Sequence, residues 1–293
     1  MAMDRVATRL YGASGMHNRR PAAPHPRLSV VIPTYNRRAI LPAAIDSALA
    51  WLDALGQGEI LVVDDASTDG TEQAVRSAYA GRIESGQLSF HRLAQNRGVT
   101  GAKNEGARLA RGDWLLFLDS DDRLIAEAAA PAMAAMDGAP SDAPLIFFRC
   151  IDETDQRLLG RQEGAPRRLD IRTHIAGWQW GECLPAVRAL AWRLHPYEEE
   201  LRGYEGIAYG RMIRTEGNAL LSDIVARSYD QTGIDRLTTS ASRRRHACLH
   251  ARGTWLMARE FGQAMPVLLK LAYLRSALWL SAQCAWRRLT GRA

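Results

Sequence analysis

The stretch EILVVDDASTDGT, residues 59–71, contains the three parts of a strand–turn–helix unit. Its first five residues, 59–63, are mainly Ile, Leu and Val without polar alternation, which is typical of a strand buried on both faces. Residues 64–70 then supply a series of turn-forming side chains. A helical pattern follows over residues 71–80. This order predicts a parallel sheet with helices packed on its faces.

The same order of elements recurs on both sides of this unit. The run LSVVIP, residues 28–33, predicts another buried strand, and the apolar residues of 39–55 recur at helical spacing. Further elements are predicted along the chain, with strands at 88–93, 114–118 and 145–148 and helices at 100–110 and 205–215. We therefore expect an α/β fold with a mostly parallel sheet that helices cover on both faces.

Composition and charge divide the chain into three parts. Its 293 residues are 47% hydrophobic and 24% charged, as in an ordinary globular protein. Residues 242–293 hold ten basic residues and one acid, whereas the rest of the chain holds 28 basic and 31 acidic residues. We expect a flexible extension over 1–27, a globular domain over 28–241 and a basic helical tail over 242–293.

The cysteines and the N-terminal residues bear on the cellular compartment. Four cysteines lie far apart and include no CxxC pair, namely Cys150, Cys183, Cys248 and Cys284. This spacing predicts neither a zinc site nor a disulfide framework, and it favours a reducing compartment. Residues 1–27 are rich in Arg, Pro and Ala and lack the apolar core of a secretory signal.

Carboxylates cluster where two predicted strands end. Asp64 and Asp65 follow the strand at 59–63, and Asp119, Asp121 and Asp122 follow the strand at 114–118. The carboxyl ends of parallel strands meet at one sheet edge, where α/β proteins bind their ligands. A divalent cation would relieve the repulsion among such carboxylates. Turn formation and helix capping are the alternative roles for these aspartates, and capping is also an alternative for Asp69.

The spacing of these acidic segments fits neither a calcium-binding loop nor a phosphatase motif. An EF-hand loop beginning at Asp65 would need a bidentate glutamate at its twelfth position, which is Arg76. A phosphatase of the haloacid dehalogenase type would need DxDx[TV], and the fifth residue from Asp119 is Arg123. Neither pattern is complete.

A glycine-rich turn with a lysine precedes the fourth strand. In NRGVTGAKNEGA, residues 96–107, Lys103 falls in the first turn of a predicted helix, whose N-terminus attracts anions. The chain has only one other lysine, Lys270, among 38 basic residues. A diphosphate suits this position, and a solvated lysine is the alternative interpretation.

Four segments together resemble the successive signatures of glycosyltransferase family 2. They are SVVIPTYNR (29–37), VVDDASTDGT (62–71), NRGVTGAKNEGA (96–107) and FLDSDDRL (117–124). The resemblance implies a GT-A fold and inverting transfer of a sugar from a nucleotide-diphosphate donor, with Mn²⁺ or Mg²⁺ as cofactor. It also implies a donor-binding half over 28–125 and an acceptor-side half over 126–241.

The resemblance implies a role for each residue that matches a family motif. Pro33, Thr34 and Tyr35 would line the nucleoside pocket, and Asp65, with Asp64 beside it, would hold the base or the ribose.

Other motif positions would serve the diphosphate and the metal. Lys103 would lie near the diphosphate, where family members commonly have arginine. Asp119 and Asp121 would form the DxD motif, with Asp121 as the direct metal ligand. Asp122 would orient the loop or cap the next helix.

The sequence departs from the family at the general base. Residues 194–214 resemble the family phrase FDExLxGxED, whose last Asp is the base, but Gly206 occupies that position. The nearest carboxylates are Glu205 and residues 198–200, and we expect Glu205 to act as the base. A helix N-terminal charge is the alternative role of Glu205. Gly206 also leaves open an altered acceptor geometry or a loss of activity.

The basic tail predicts an amphipathic helix rather than a membrane span. Its longest uncharged stretch, residues 276–286, is much shorter than the roughly 20 residues that cross a bilayer. Leucine, tryptophan and arginine together suit the surface of an anionic membrane, and packing on the domain is the alternative. Nucleic acid is not an expected partner, because no nucleic-acid-binding signature accompanies the charge.

The sequence thus predicts a cytoplasmic glycosyltransferase, peripheral on the inner face of the cytoplasmic membrane. A UDP-sugar is the expected donor, and the expected acceptor is a glycan or a lipid-linked sugar in polysaccharide or lipopolysaccharide synthesis. A nucleotidyltransferase is one alternative, although no GxGTRxxPxTK-like segment follows the first strand. A non-catalytic nucleotide-sugar-binding protein is the other, because of Gly206.

Overall fold

The computed structural model describes residues 26–160, 167–176, 181–229 and 246–290. In these ranges, helices flank one sheet of nine strands. The extension predicted over 1–27 lies almost entirely outside the described residues.

The predicted strands and helices of the N-terminal half all form, within a few residues of their expected bounds. The strands are β1 Leu28–Thr34, β2 Glu59–Asp64, β3 Leu88–Arg92, β4 Trp114–Phe117, β5 Arg123–Leu124, β6 Leu145–Asp152, β7 Arg167–Leu169, β8 Cys183–Arg188 and β9 Ala219–Tyr229. The helices are α1 Leu41–Leu55, α2 Thr71–Ala78, α3 Ala80–Glu84, α4 Gly98–Leu109, α5 Ala129–Asp137, α6 Ile171–Ala176, α7 Ala189–Leu194, α8 Gly206–Thr215, α9 Ala247–Phe261 and α10 Val267–Thr290.

The strand order is β3-β2-β1-β4-β8-β6-β9-β5, and β7 pairs with β9. Strands β3, β2, β1 and β4 are parallel, as are β6 and β9. Strand β8 is antiparallel to both of its neighbours, and β5 and β7 are antiparallel to β9. The α/β fold is confirmed. The parallel arrangement belongs mainly to the N-terminal half, so the sheet as a whole is mixed.

Apolar side chains cover both faces of the sheet. Val30 and Ile32 of β1 pack into one hydrophobic cluster with helix α1, whereas Val31 packs into a second cluster with helix α8. Successive residues of a strand point to opposite faces, so a strand without polar alternation is buried on both sides. This burial fixes the parallel strands in register.

That register brings the strand-end motifs to one edge of the sheet. Thr34 at the end of β1 pairs with Asp64 at the end of β2, and Val31 pairs with Phe117 of β4. The segment 119–122 therefore follows its strand next to the end of β1, with the end of β2 on the other side of β1. The predicted shared edge is confirmed.

The helical part of the basic tail is docked on the domain. Phe261 of α9 belongs to a hydrophobic cluster with Leu201 and with Ile207 of α8. A Cβ placed on Gly210 of α8 would lie 2.8 Å from the ring of Phe261, so only glycine allows this close packing. The basic helical tail is thus held against α8 by apolar contact, so packing on the domain, one of the two expected roles of the tail, is observed for α9.

A disulfide joins the two tail helices. Cys248 of α9 and Cys284 of α10 are bonded across 36 residues, with their Cα atoms 4.8 Å apart. The prediction that the cysteines form no disulfide is wrong, because α10 folds back along α9 and closes the long sequence separation. Cys150 and Cys183 are free. In a reducing compartment, where disulfides are unusual, Cys248 and Cys284 would lie side by side as thiols.

Candidate active site

The end of β1 forms one wall of the predicted nucleoside pocket. Pro33 and Thr34 are buried, and Tyr35 is 46% exposed. The Oγ1 of Thr34 is buried and has no hydrogen-bond partner among the described residues. An unpaired buried hydroxyl costs about 1–3 kcal/mol, so a ligand that bonds to it would recover this loss.

Asp64 holds the turn that follows β2. Its side chain is fully buried and accepts hydrogen bonds from the backbone N–H of Ser67, at 3.3 Å, and from the Ser67 hydroxyl. Arg92 of β3 lies 3.5 Å away. The oxygens of Asp64 are thus engaged inside the protein, which gives this carboxylate a structural role in the turn.

Asp65 connects β2 to the start of α4. Its carboxylate accepts hydrogen bonds from the backbone N–H groups of Arg97, at 2.6 Å, and Gly98, at 2.8 Å. Burial raises the pKa of Asp65 above its ordinary value, and these two backbone hydrogen bonds partly oppose the rise. A carboxylate has about four lone-pair sites, so Asp65 retains acceptor capacity for a nucleoside.

Lys103 and Asp119 form an ion pair at the centre of the site. The Nζ atom of Lys103, on α4, lies 2.9 Å from the Oδ1 atom of Asp119. Burial alone would lower the pKa of Lys103, but the negative charges of Asp119 and Glu205 raise it above its ordinary value. Burial would likewise raise the pKa of Asp119, but the charge of Lys103 and its hydrogen bond lower it. Both groups are therefore ionised at neutral pH.

The second carboxylate of the predicted DxD motif remains partly accessible. The side chain of Asp121 is 30% exposed, and Nη1 of Arg37 lies 3.8 Å from its Oδ2 atom. Arg37 follows β1, so the β1–α1 loop and the segment 119–122 face each other across this edge.

Asp122 fixes the loop by pairing with a buried arginine. Its Oδ2 atom lies 3.0 Å from Nη1 of Arg227 on β9, and both side chains are at most 5% exposed. The backbone N–H of Asp122 also donates to the carbonyl of Asp119 at 3.1 Å. This arrangement agrees with the expected role in orienting the loop, whereas no helix begins at Asp122. The sequence motifs did not identify Arg227. Its only indication in the sequence is that a charged residue interrupts a segment with the composition of a β-strand.

Glu205 lies at the same site, immediately before α8. Its charge contributes to the raised pKa values of Lys103 and Tyr209. A Cβ placed on Gly206 would meet no atom within 4 Å, so open space exists at the position where the resemblance predicts an aspartate side chain. The ring of His174 bonds to the backbone of Gly206, and burial lowers the pKa of His174 to about 4.

The other candidate carboxylates form ion pairs elsewhere. Glu198 lies 2.8 Å from Arg211, Glu199 pairs with Arg97, and Glu200 pairs with Arg252. Among the ion pairs of the described residues, none includes Glu205. The charge of Lys103 acts on it at longer range. The structure thus separates Glu205 from its three acidic neighbours.

Two tyrosines that the motifs did not indicate line the same region. The hydroxyls of Tyr197 and Tyr209 are 2.8 Å apart, and burial raises the pKa of both. Asn104 of α4 holds Tyr197 through two backbone hydrogen bonds, of 2.9 and 3.1 Å. These bonds attach the 195–201 segment to the helix that carries Lys103.

Comparison with known proteins identifies the family. Residues 29–192 match the family model Glycosyl transferase family 2, which covers more than half of the chain. The chain belongs to glycosyltransferase family 2. A similar curated relative is validoxylamine A glucosyltransferase from Streptomyces hygroscopicus subsp. jinggangensis, 38% identical over 224 residues, which cover 66% of this chain and 52% of the relative.

Solved structures similar to this family 2 chain share the GT-A fold. Mannosyltransferase PcManGT from Pyrobaculum calidifontis, in complex with GDP-Man and Mn²⁺, matches with a TM-score of 0.61 and 20% identity, over 90% of this chain and 76% of that one. TarS from S. aureus, in complex with UDP-GlcNAc, also matches with a TM-score of 0.61, at 18% identity, over 79% and 66%. Matches to curated relatives span only 30% to 52% of those proteins' lengths.

The family 2 site has the chemistry for a hard divalent cation. Asp119 and Asp121 offer carboxylate oxygens, the ligand type that Mg²⁺ and Mn²⁺ prefer. The part of the chain that the structure describes contains no cluster of three or more metal-ligating side chains. A cation held by the two aspartates would need its remaining ligands from a bound diphosphate and water, as is common for Mg²⁺.

Proposed function

We propose that this family 2 glycosyltransferase transfers a sugar, with inversion, from a nucleotide-diphosphate donor bound at the edge formed by β1, β2 and β4. A UDP-sugar is the expected donor. The observation that carries this proposal is the Lys103–Asp119 ion pair, which lies within electrostatic reach of Glu205 and two residues before Asp121 in the chain. The similar solved structures contain UDP-GlcNAc and GDP-Man, which supports a nucleotide-sugar ligand.

Lys103 serves the departure of the nucleotide. Breaking the sugar–phosphate bond builds negative charge on the diphosphate, and a cation fixed nearby stabilises this charge more in the transition state than in the ground state. The ion pair with Asp119 holds the ammonium group of Lys103 in place before the donor binds. A divalent cation held by Asp121 and Asp119 would neutralise further charge on the leaving diphosphate.

Glu205 serves the acceptor. Inversion requires a base on the face of the sugar opposite to the diphosphate, where it takes the proton from the attacking hydroxyl. Glu205 stands one residue before the family position, and the open space at Gly206 leaves room for an acceptor hydroxyl. Glu198, Glu199 and Glu200 are less suitable because arginines already bind them.

The acceptor and the location complete the proposal. We expect a glycan or a lipid-linked sugar as acceptor, in the synthesis of a cell-surface polysaccharide or lipopolysaccharide. The protein would then act in the cytoplasm, in peripheral contact with the inner face of the cytoplasmic membrane through residues 242–293. Among the described helices, none has the length and hydropathy to cross a bilayer.

Nucleotide release tests the proposal directly. The full chain is incubated with a panel of UDP- and GDP-sugars and Mn²⁺, and the free nucleotide is measured with and without a glycan acceptor. Asp121→Asn should abolish release and also remove the thermal stabilisation that UDP with Mn²⁺ confers on the folded protein. Asp223→Asn changes an exposed carboxylate on β9 and should behave as wild type.

Two results would contradict the assignment. Full turnover by Asp121→Asn would exclude Asp121 from the site. Tight donor binding by the wild type without any release, across the panel, would favour a non-catalytic nucleotide-sugar-binding protein, the alternative that Gly206 suggests.

A further inference from the structure

One face of α10 carries an exposed apolar stripe. Leucine and tryptophan side chains recur at helical spacing, with one adjacent pair, and all fall within about a third of the helix circumference. They are Leu268, Leu271, Leu278, Trp279, Trp286 and Leu289, and each is between 54% and 85% exposed. The opposite side holds Ala277 and Leu280, which are buried, and Leu280 packs on α9. Single exposed apolar residues are ordinary, but a contiguous stripe indicates a contact surface.

The charges around this stripe are of one sign. Exposed Lys270, Arg275 and Arg288 lie on α10, and Arg275 falls within the stripe itself. The only acidic residue of 246–290 is Glu260, and Arg211 binds it at 2.6 Å. In the described part of the chain, this surface therefore combines apolar side chains with an excess of positive charge, which favours a partner that is both apolar and anionic.

We propose that this face of α10 lies in the interface of a bilayer that contains anionic phospholipid. Tryptophan and leucine then enter the boundary between headgroups and acyl chains, and the basic side chains contact lipid phosphates. A second copy of the chain is a poorer occupant, because it would bring the same positive charges to the contact. The long stems of arginine and lysine allow their charged ends to reach the headgroups.

The same helix pair reaches the acceptor side of the site. The disulfide Cys248–Cys284 joins α9 to α10. The ring of Tyr204, the residue before Glu205, rests so closely on α9 that a Cβ on Gly253 would lie 2.6 Å from it. A membrane-bound α10 thus holds the Glu205 segment near the bilayer, where a lipid-linked acceptor would present its sugar. This step rests on the proposed acceptor, whereas the membrane contact itself does not depend on the transfer reaction.

Vesicle flotation of the full chain tests the inference. Wild type should float with vesicles that contain phosphatidylglycerol, bind much less to pure phosphatidylcholine and dissociate as salt rises. The variant Leu278→Ser/Trp279→Ser/Trp286→Ser should lose at least about tenfold in partitioning, because each buried apolar side chain contributes substantially to binding. Leu190→Ser/Leu194→Ser removes exposed leucines of α7 and is the matched control.

Controls separate this inference from the proposed reaction. The stripe variant should keep the wild-type melting temperature and its nucleotide release with a water-soluble acceptor, because the changed side chains are exposed. Equal flotation of the stripe variant and wild type would overturn the inference. The inference would also be overturned if wild type did not float and formed a dimer whereas the stripe variant was a monomer. This result would assign the exposed face of α10 to self-association.

Discussion

The Nζ atom of Lys103 lies 2.9 Å from Oδ1 of Asp119, and this contact joins helix α4 to the loop that follows β4. The two residues belong to separate sequence motifs, and neither motif indicates the other. Their contact places a permanent cation where the strands β1, β2 and β4 end. It also explains how an Asp-rich loop is tolerated beside the apolar core, since the charge of Lys103 offsets one of its carboxylates.

Lys103→Met should lower the catalytic rate constant by about two orders of magnitude, because a fixed group that stabilises transition-state charge typically contributes this much. Lys103→Arg should retain most of the activity, because it preserves the positive charge at a position where family members commonly have arginine. Steady-state kinetics of donor turnover would measure both variants. Equal activity of Lys103→Met and wild type would exclude a role at the diphosphate.

Glu205→Gln should reduce transfer by about 10²-fold or more while donor affinity stays unchanged, as expected when a general base is lost. Gly206→Asp should fold normally, because the added side chain enters open space, and it restores the family's carboxylate. In the Glu205→Gln background, Gly206→Asp should recover part of the lost rate. The rate of sugar transfer, measured as a function of pH for wild type and the variants, would check this recovery. Glu199→Gln, at a carboxylate bound by Arg97, is the control for an unrelated charge change.

Arg227→Met should destabilise the fold by about 3–5 kcal/mol, because it removes the buried cation that faces the buried carboxylate of Asp122. Asp122→Asn/Arg227→Met removes both charges and should cost less than the sum of the two single changes. Urea unfolding of the four proteins measures this coupling. Strictly additive effects would show that the contact contributes little to the loop.

His174 should make stability depend on pH in the mildly acidic range. Burial lowers its pKa to about 4, below the ordinary value of about 6.5 that it regains on unfolding. Between these two values the unfolded chain binds the proton and the folded protein does not, so the free energy of unfolding falls as pH decreases from about 6.5 to 4. Above about pH 6.5 this contribution is constant.

His174→Phe should flatten this part of the pH profile, since phenylalanine does not titrate and can still stack on Phe147. Urea unfolding at several pH values would compare the variant with wild type. An identical slope in both proteins would assign the acid sensitivity to other groups.

Local patterns in the sequence determined the elements and the motif positions. Uninterrupted apolar runs predicted β1, β2 and β4, because a strand covered on both faces needs apolar side chains at every position. The strand ends then located Asp65, Asp119 and Asp121 at one sheet edge, and the family motifs agreed. These conclusions depend on residues close together in the chain, so the sequence alone could support them.

Tertiary structure alone decided which distant groups meet. Arg227 contacts Asp122 across 105 residues, and Cys248 meets Cys284 because α10 folds back along α9. Arginines also bind the three glutamates of residues 198–200, whereas Glu205 remains within electrostatic reach of Lys103. The antiparallel course of β8 is a further example. Such contacts depend on how separate elements pack, and hydrophobic periodicity records only which face of an element is buried, not which partner covers it.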